Sequence, residues 1–241
     1  MDTRIDEIAD GIYRLSTLVS GIGGPDGLTF NQFLVKADEP LLFHTGQRAL
    51  YSTVSAAVES IMPLSRLRWI SFSHVEADEC GGLDNFLAAA PEATAVHGRF
   101  GCDLWLSDQL DRPPRKLDDD EVLDLGGKRV RWLETPNVPH DLNAGLMLEE
   151  TTNTLICSDL FAHAGDPPAL TEDDILAPAL ETAKVFPFTP ATPTTGPTLR
   201  RLAALAPTTL AVMHGSSYRG NAGALLNGMA EYYERLLREA A

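Results

Sequence analysis

The sequence has few cysteines, few basic residues and no long apolar run. Its three cysteines, Cys80, Cys102 and Cys157, are too few and too widely spaced for a disulfide framework. No apolar run approaches the roughly 20 residues that cross a bilayer. The acidic beginning of the chain lacks the apolar stretch of a secretory signal peptide. We therefore expect a cytoplasmic protein without a membrane-spanning segment.

The shortage of basic residues also limits the partners. Lysine and arginine number 19 against 34 aspartate and glutamate residues, which gives a formal net charge of −15. Such a field repels nucleic acids and anionic membrane surfaces. The densest basic stretch is only residues 128–131. We therefore expect neither a nucleic acid nor a membrane as a partner.

What is present is the composition of a globular protein. Hydrophobic residues make up 44% of the 241 residues and charged residues 22%, which excludes a disordered, collagen-like or coiled-coil chain. This length allows a sizeable buried core. No break in composition marks a boundary, so we predict one domain over residues 1–241.

Alternation and helical spacing predict a mixed α/β fold. The strands are predicted at Gly11–Leu15, Leu28–Lys36, Leu41–Thr45, Arg68–Ser73, Ala93–His97, Lys128–Glu134, Gly145–Leu148, Thr154–Cys157 and Thr208–Met213. The helices are predicted at Gln47–Met62, Leu83–Ala90, Phe100–Ser107, Ile175–Lys184, Thr198–Leu205 and Ala222–Glu239. The segment from Gly165 to Pro197 is rich in proline and threonine and is predicted to be a surface excursion. Strands that come first and then alternate with helices indicate a sandwich of sheets covered by helices.

The strongest chemical signal is the sequence SHVEADECGG at residues 73–82, directly after a predicted strand. In an extended segment, His74, Glu76 and Asp78 point to the same side. Two carboxylates held this close repel one another unless a cation stabilises them. Taken alone, this segment is equally well explained as a metal site or as a solvated acidic loop.

Three further polar residues follow the ends of other predicted strands. His140 lies in TPNVPHD, Asp159 in NTLICSDLF and His214 in TLAVMHG. Open α/β folds place their functional sites at such strand ends. Together with the first segment they form a set of three imidazoles and three carboxylates, which favours the metal site.

This order of residues resembles the metallo-β-lactamase superfamily, and within it the diiron core of flavodiiron proteins and of oxygen-binding diiron proteins. The resemblance depends on the H-x-E-x-D-E-x-G-G pattern from His74 and on the later His140, Asp159 and His214. It implies a four-layer αββα sandwich. It also implies that one metal is bound by His74, Glu76 and His140, that a second is bound by Asp78 and His214, and that Asp159 bridges the two.

The carboxylate content of this set bears on the metal. Zinc hydrolases of the superfamily usually have H-x-H-x-D-H, whereas Glu76 here replaces the second histidine. Mixed nitrogen and oxygen donors suit iron or manganese better than a catalytic zinc site dominated by histidine. We therefore expect two iron ions, with zinc or manganese as the alternatives.

Two positions depart from the family pattern, and a few others are left open. Glu79 stands where a histidine is common, and we interpret it as an extra ligand, a proton donor or a surface acid. His44 stands where an aspartate is usual, and it either supports a ligand or is an ordinary core histidine. Tyr218 is a candidate proton or hydrogen-bond donor to the pocket. We expect His97 and His163 to be surface or loop histidines.

The resemblance implies a diiron protein that binds or reduces O2, or NO, as a reductase or as a sensor. Flavodiiron proteins take electrons from an FMN in an attached flavodoxin-like domain, and we expect no flavin in this chain, so a separate redox or signalling protein would be its partner. The family also implies a homodimer. The alternatives are a dinuclear zinc hydrolase of a small ester, thioester or lactam, and a scaffold protein with a degenerate site.

Overall fold

The computed structural model describes residues 2–240, which fold into two seven-stranded sheets that face one another. The first sheet has its strands in chain order, and they are β1 (Thr3–Ala9), β2 (Ile12–Val19), β3 (Leu28–Val35), β4 (Leu41–Phe43), β5 (Trp69–Ser71), β6 (Thr94–Gly98) and β7 (Arg115–Leu117). Strands β1 to β4 are antiparallel neighbours, whereas β4 to β7 run parallel.

The second sheet is formed mainly by the later half of the chain. Its strands are β8 (Val122–Asp124), β9 (Arg129–Glu134), β10 (Gly145–Glu149), β11 (Thr154–Ile156), β12 (Leu170–Thr171), β13 (Thr209–Ala211) and β14 (Ser217–Arg219). They are arranged in the order β12-β14-β13-β11-β10-β9-β8, with β11 and β13 parallel.

Helices cover the outer faces of the two sheets. They are α1 (Tyr51–Ile61), α2 (Ala77–Cys80), α3 (Leu83–Ala89), α4 (Arg99–Gly101), α5 (Ser107–Gln109), α6 (Leu176–Val185), α7 (Thr195–Ala204) and α8 (Ala222–Glu239). A π-helical segment, Cys102–Leu106, joins α4 to α5, and short 3-10 turns lie at Arg48–Leu50 and Leu64–Arg66. Within residues 2–240, no helix has the length and hydropathy required to cross a membrane.

Side chains alternate between the two faces of each sheet because successive Cβ atoms in a strand point in opposite directions. In β3, Phe33 and Val35 pack between the sheets, against Trp132 and Met147 of the second sheet. The intervening Leu34 instead joins the apolar layer under α1 and α3. A third apolar cluster lies between the second sheet and α6, α7 and α8. These layers confirm the predicted αββα sandwich.

Most predicted elements are present, and α8 has the predicted bounds. The chain also contains short or irregular strands that the sequence pattern does not predict, namely β1, β7, β8, β12 and β14. Strand β1 has only one fully buried apolar side chain, Ile8, and an irregular register at Glu7 to Ala9, so its alternation is weak. The segment predicted as a surface excursion contains α6, as expected, and also β12.

The strand ends bring the candidate residues to one place. His74 lies three residues beyond the end of β5, Asp159 three beyond β11, and His214 three beyond β13. Because β5 belongs to the first sheet and the other two strands to the second, the site is built from both halves of the sandwich.

Candidate metal centre

Six side chains, the predicted three imidazoles and three carboxylates, meet at this edge of the sandwich. They separate into two sets that share one aspartate. The first set comprises His74, Glu76, His140 and Asp159, whose donor atoms all lie within 4.8 Å of one another. The second set comprises Asp78, His214 and the other oxygen of Asp159.

Glu76 is central to the first set. Its Oε2 atom lies 3.1 Å from Nε2 of His74 and 3.3 Å from Nε2 of His140. The imidazole rings of these two histidines are in edge-to-face contact, with centroids 3.9 Å apart. Both histidines therefore direct the same ring nitrogen, Nε2, toward one point.

His214 is central to the second set. Its Nε2 atom lies 3.4 Å from Oδ2 of Asp78 and 3.2 Å from Oδ1 of Asp159. Asp78 reaches this set because α2 begins at Ala77, directly after the extended Glu76. The expectation that the extended segment continues through Asp78 is therefore wrong, and the helical turn directs Glu76 and Asp78 into different sets.

Asp159 joins the two sets through its two oxygens. Oδ2 lies 3.3 Å from Nε2 of His140 and 3.6 Å from Nε2 of His74, whereas Oδ1 faces His214. The side chain is only 9% exposed. Its Oδ1 is also among the buried oxygens that have no aligned hydrogen bond. A carboxylate in this position has the geometry to bridge two cations.

The concentration of carboxylates changes the proton affinity of the histidines. Burial acts to lower the pKa of His140, but its contacts with Asp159 and Glu76 raise it to about 10. His214 is likewise raised to a pKa of about 10, by Asp159 and Asp78, against the effect of burial. For His74, burial is outweighed by the charge of Glu79 and the contact with Glu76, and its pKa rises to about 9.

The carboxylates shift in the opposite direction. Contacts with His140 and His74 lower the pKa of Glu76 to about 2. Burial acts to raise the pKa of Asp159, but His140 and His214 hold it well below its ordinary value. The negative charges of this centre must be balanced by protons on the imidazoles or by bound cations. The donor set therefore fits two metal ions.

Strand β3 and the buried Arg14 position His214. The ring Nδ1 of His214 donates to the carbonyl of Thr29 over 2.8 Å, which leaves Nε2 for the centre. The Thr29 hydroxyl accepts from the N–H of Gly215, and the carbonyl of Gly215 accepts from Arg14 and Asn31. The loop that carries His214 is therefore held by hydrogen bonds on both sides of this histidine.

Glu79 lies behind the first set and has no direct access to the cavity. Its Oε2 accepts hydrogen bonds from the backbone N–H groups of Ser73 and His74, at 2.9 and 2.7 Å. Its Oε1 accepts from the hydroxyl of Ser158 and lies 3.2 Å from Nε2 of His44. Burial acts to raise the pKa of Glu79, but His44 and His74 lower it below its ordinary value.

Three other histidine and tyrosine predictions have clear outcomes. The expectation of a surface or loop position is wrong for His97, which lies in β6 and is buried, whereas His163 lies in a loop, as expected, but is also buried. His97 is fully buried between Phe72 and Trp132 and donates to the carbonyl of Ser73, and burial lowers its pKa to about 4. The burial of His97 is indicated by its position in the apolar strand TAVHG, because a strand covered on both faces buries all of its side chains.

His163 packs under the loop of His214. The ring Nε2 of His163 accepts a hydrogen bond from the backbone N–H of Ser216 at 2.9 Å, and the backbone N–H of His163 donates to the carbonyl of His214. Tyr218 packs in the apolar layer beside α8, with its hydroxyl near Gly220, and it does not line the cavity over the centre. The structure therefore does not bring Tyr218 to the candidate ligands.

A cavity of about 250 Å³ opens over five of the six side chains, all except His74. Glu76, Asp78, His140, Asp159 and His214 are at its base. Its walls are largely apolar and include Ile22, Leu28, Ala162, Ala164, Phe186 and Phe188. Among residues 2–240, those that line it include no lysine or arginine. The cavity therefore has apolar walls above a base of carboxylates and imidazoles.

The chain is similar to a known protein family and to several curated proteins. A family model described as "ODP family beta lactamase" matches residues 28–188. The curated relative "Putative diflavin flavoprotein A 1" of Thermosynechococcus vestitus is 28% identical over 158 residues, which are 64% of this chain and 27% of that protein. The rubredoxin-oxygen oxidoreductase of Megalodesulfovibrio gigas is 24% identical over 205 residues, 81% of this chain and 50% of that protein.

The solved structures agree on the architecture. A metal-soaked flavodiiron core from Synechocystis superposes with a TM-score of 0.80 at 20% identity, over 99% of this chain and 61% of that one. At this identity the likeness shows the fold alone. The chain spans about a quarter to a half of the length of the curated relatives it matches.

Proposed function

Since the chain belongs to the ODP family of β-lactamases, we propose that it is a non-haem diiron protein that binds or reduces O2 or NO. The observation that carries this proposal is the pair of donor sets that share Asp159. Each set contains at least one imidazole and two carboxylates. Such carboxylate-rich centres suit iron better than the histidine-dominated sites of zinc enzymes.

Each of the six ligands has an assigned place in the proposal. His74, Glu76 and His140 would hold one iron, Asp78 and His214 the other, and Asp159 would bind both. In the reduced state, the two iron ions would supply electrons to the gas. The carboxylates would stabilise the more highly charged oxidised ions, and the backbone contacts of His214 and His74 would keep their Nε2 atoms directed at the metals.

The cavity supports a gas as the ligand. Its apolar walls admit O2 or NO without the cost of removing a strongly hydrated group from water. A lactam or another substrate that carries a carboxylate would have no cationic side chain to pair with in this cavity. The lining therefore supports an uncharged ligand over a charged substrate.

The electron source and the assembly are part of the proposal. Relatives that match include a protein named as a diflavin flavoprotein and a rubredoxin-oxygen oxidoreductase, and both are longer than this chain. We expect no flavin in residues 1–241 and a separate redox or signalling protein as the partner. A homodimer and a cytoplasmic location complete the proposal.

The second candidate is a dinuclear zinc hydrolase of a small ester or thioester. It is favoured by the β-lactamase family description and by the two-set geometry, because two metals lower the pKa of a bound water and polarise a carbonyl. It differs from the first candidate in the metal that gives activity.

One experiment separates the two candidates. The protein is loaded with ferrous iron without air and given one pulse of O2, and its visible absorption is followed. The diiron proposal predicts a new band from oxidised iron, which His140→Ala abolishes. If the iron form ignores both O2 and NO while the zinc form hydrolyses thioesters, the hydrolase replaces it.

A further inference from the structure

We propose that Glu79 is a positioning residue that, with His44 and Ser158, fixes the donor atoms of His74 and Asp159 without binding a metal. The inference rests on the metal centre of the proposed function. It assigns a role to a residue that could equally be a ligand when judged from the sequence. It also gives His44 and Ser158, which are distant from Glu79 in the chain, a part in positioning the donor atoms.

The contacts of Glu79 leave it no free oxygen. Oε2 accepts two backbone N–H groups, those of Ser73 and His74, and Oε1 is shared by Ser158 and His44. The residue is 1% exposed and does not line the cavity. To become a ligand it would have to abandon several of these contacts, and the N–H groups left behind would be buried without partners.

Glu79 controls the orientation of His74. Its Oε2 lies 3.4 Å from Nδ1 of that ring, while Nε2 on the other side faces Glu76 at 3.1 Å. A carboxylate behind one ring nitrogen fixes which nitrogen is available to a metal and how the ring is turned. The bond to the His74 backbone fixes the base of the same side chain.

Glu79 also controls the loop of Asp159. The hydroxyl of Ser158, the residue before the shared aspartate, donates to Glu79. Ser158 has a φ of 51° and His44 a φ of 65°, both in the left-handed region that non-glycine residues seldom adopt. Two such residues contact one carboxylate, so their contacts with Glu79 help to hold this sparsely populated backbone.

These contacts connect the two sheets. His44 follows β4 and His74 follows β5 in the first sheet, whereas Ser158 follows β11 in the second. A buried carboxylate in contact with all three segments therefore sets the separation between His74 and Asp159. That separation determines whether both can bind the same ion.

The test compares Glu79→Gln and Ser158→Ala with a matched control, Glu149→Gln. Glu149 is also fully buried and accepts two backbone N–H groups and a threonine hydroxyl, from residues 151 and 152. It lies at the far end of β10 from Gly145, whose N–H bonds to Ser73, a distance of about 13 Å along the strand. Cobalt(II) is the probe, added to protein stripped of metal by a chelator, and the thermal midpoint of the stripped protein reports on folding.

We expect Glu79→Gln to bind two cobalt ions per chain with about 10- to 100-fold lower affinity and with an altered visible spectrum. Ser158→Ala should change the cobalt affinity and the spectrum in the same direction as Glu79→Gln, but by less. Glu149→Gln should keep the affinity and spectrum of the parent protein, although its thermal midpoint falls about as much as that of Glu79→Gln. The proposal is overturned if Glu79→Gln retains the parent's affinity and spectrum. It is also overturned if Glu79→Gln binds one cobalt while Ser158→Ala is unchanged, because Glu79 is then a ligand.

Two further outcomes keep the test decisive. If Glu79→Gln does not fold, Ser158→Ala decides, and a parent-like spectrum in that variant overturns the proposal. If the parent binds no cobalt, the metal centre fails and this inference fails with it. A parent that binds two cobalt ions but whose iron form ignores O2 and NO contradicts the proposed gas chemistry alone.

Discussion

Loading the candidate metal centre should release protons, because we expect three of its proposed ligands to be protonated in metal-free protein at pH 7. The pKa values of His74, His140 and His214 are raised to about 9, 10 and 10. A histidine must be neutral to bind a metal. We therefore expect about three protons to leave per chain when both sites are filled at pH 7. A metal-bound water that deprotonates adds to this number, so three is a lower limit.

The pH dependence follows from the same count. Each proton contributes about 1.4 kcal/mol per pH unit, so three contribute about 4 kcal/mol, and the overall constant for loading both sites rises about a thousandfold per unit. This slope holds from pH 7 to about pH 8, falls as His74 loses its proton near pH 9, and disappears above about pH 10 as His140 and His214 become neutral.

Calorimetric titration in buffers of different ionisation enthalpy measures the protons released. His140→Ala should release one fewer proton, whereas His97, whose pKa is lowered to about 4, is already neutral and contributes none. Release of fewer than one proton per chain at pH 7 would refute the reasoning, because the imidazoles would then be neutral before the metal arrives.

Three further predictions concern the metal-free and variant proteins. Asp159→Ala should leave fewer than one metal per chain by elemental analysis, because it removes the oxygens that both sets share. Two metals per chain in this variant would contradict the assignment of the bridge. The free energy of unfolding of the metal-free protein, measured by urea titration, should fall as pH rises from 7 through about 10. The raised histidine pKa values stabilise the fold only while the rings are protonated. A free energy that does not change over this pH range would contradict the prediction. Thr29→Val should cost about 1–3 kcal/mol by the same titration, because the N–H of Gly215 loses its buried acceptor, and an unchanged midpoint would show that this bond is unimportant.

The sequence predicts which candidate ligands come together at this edge of the sandwich because most of them follow strand ends. His74, Asp159 and His214 each come three residues after a strand, and these three strands are short buried runs that the sequence shows as apolar segments. The division of Glu76 and Asp78 between two sets was not predictable by the same rule. It depends on a four-residue helix that begins between them, and an extended segment has the same local pattern.

The role of Glu79 could not be read from the sequence because its partners are distant. Ser158 is 79 residues away and lies in the other sheet. The burial of His163 and the position of Tyr218 were not predictable for a related reason, since burial under a loop depends on packing between elements. The extent of the domain, residues 1–241, stays a prediction.

The most direct test of the account is the iron content and Mössbauer spectrum of protein produced with 57Fe and handled without air. We expect two iron ions per chain, ferrous after reduction, both of which become ferric after O2 is admitted. One zinc ion per chain with no second metal after iron-replete expression, or two iron ions that remain ferrous in the presence of O2 and do not bind NO, would contradict it.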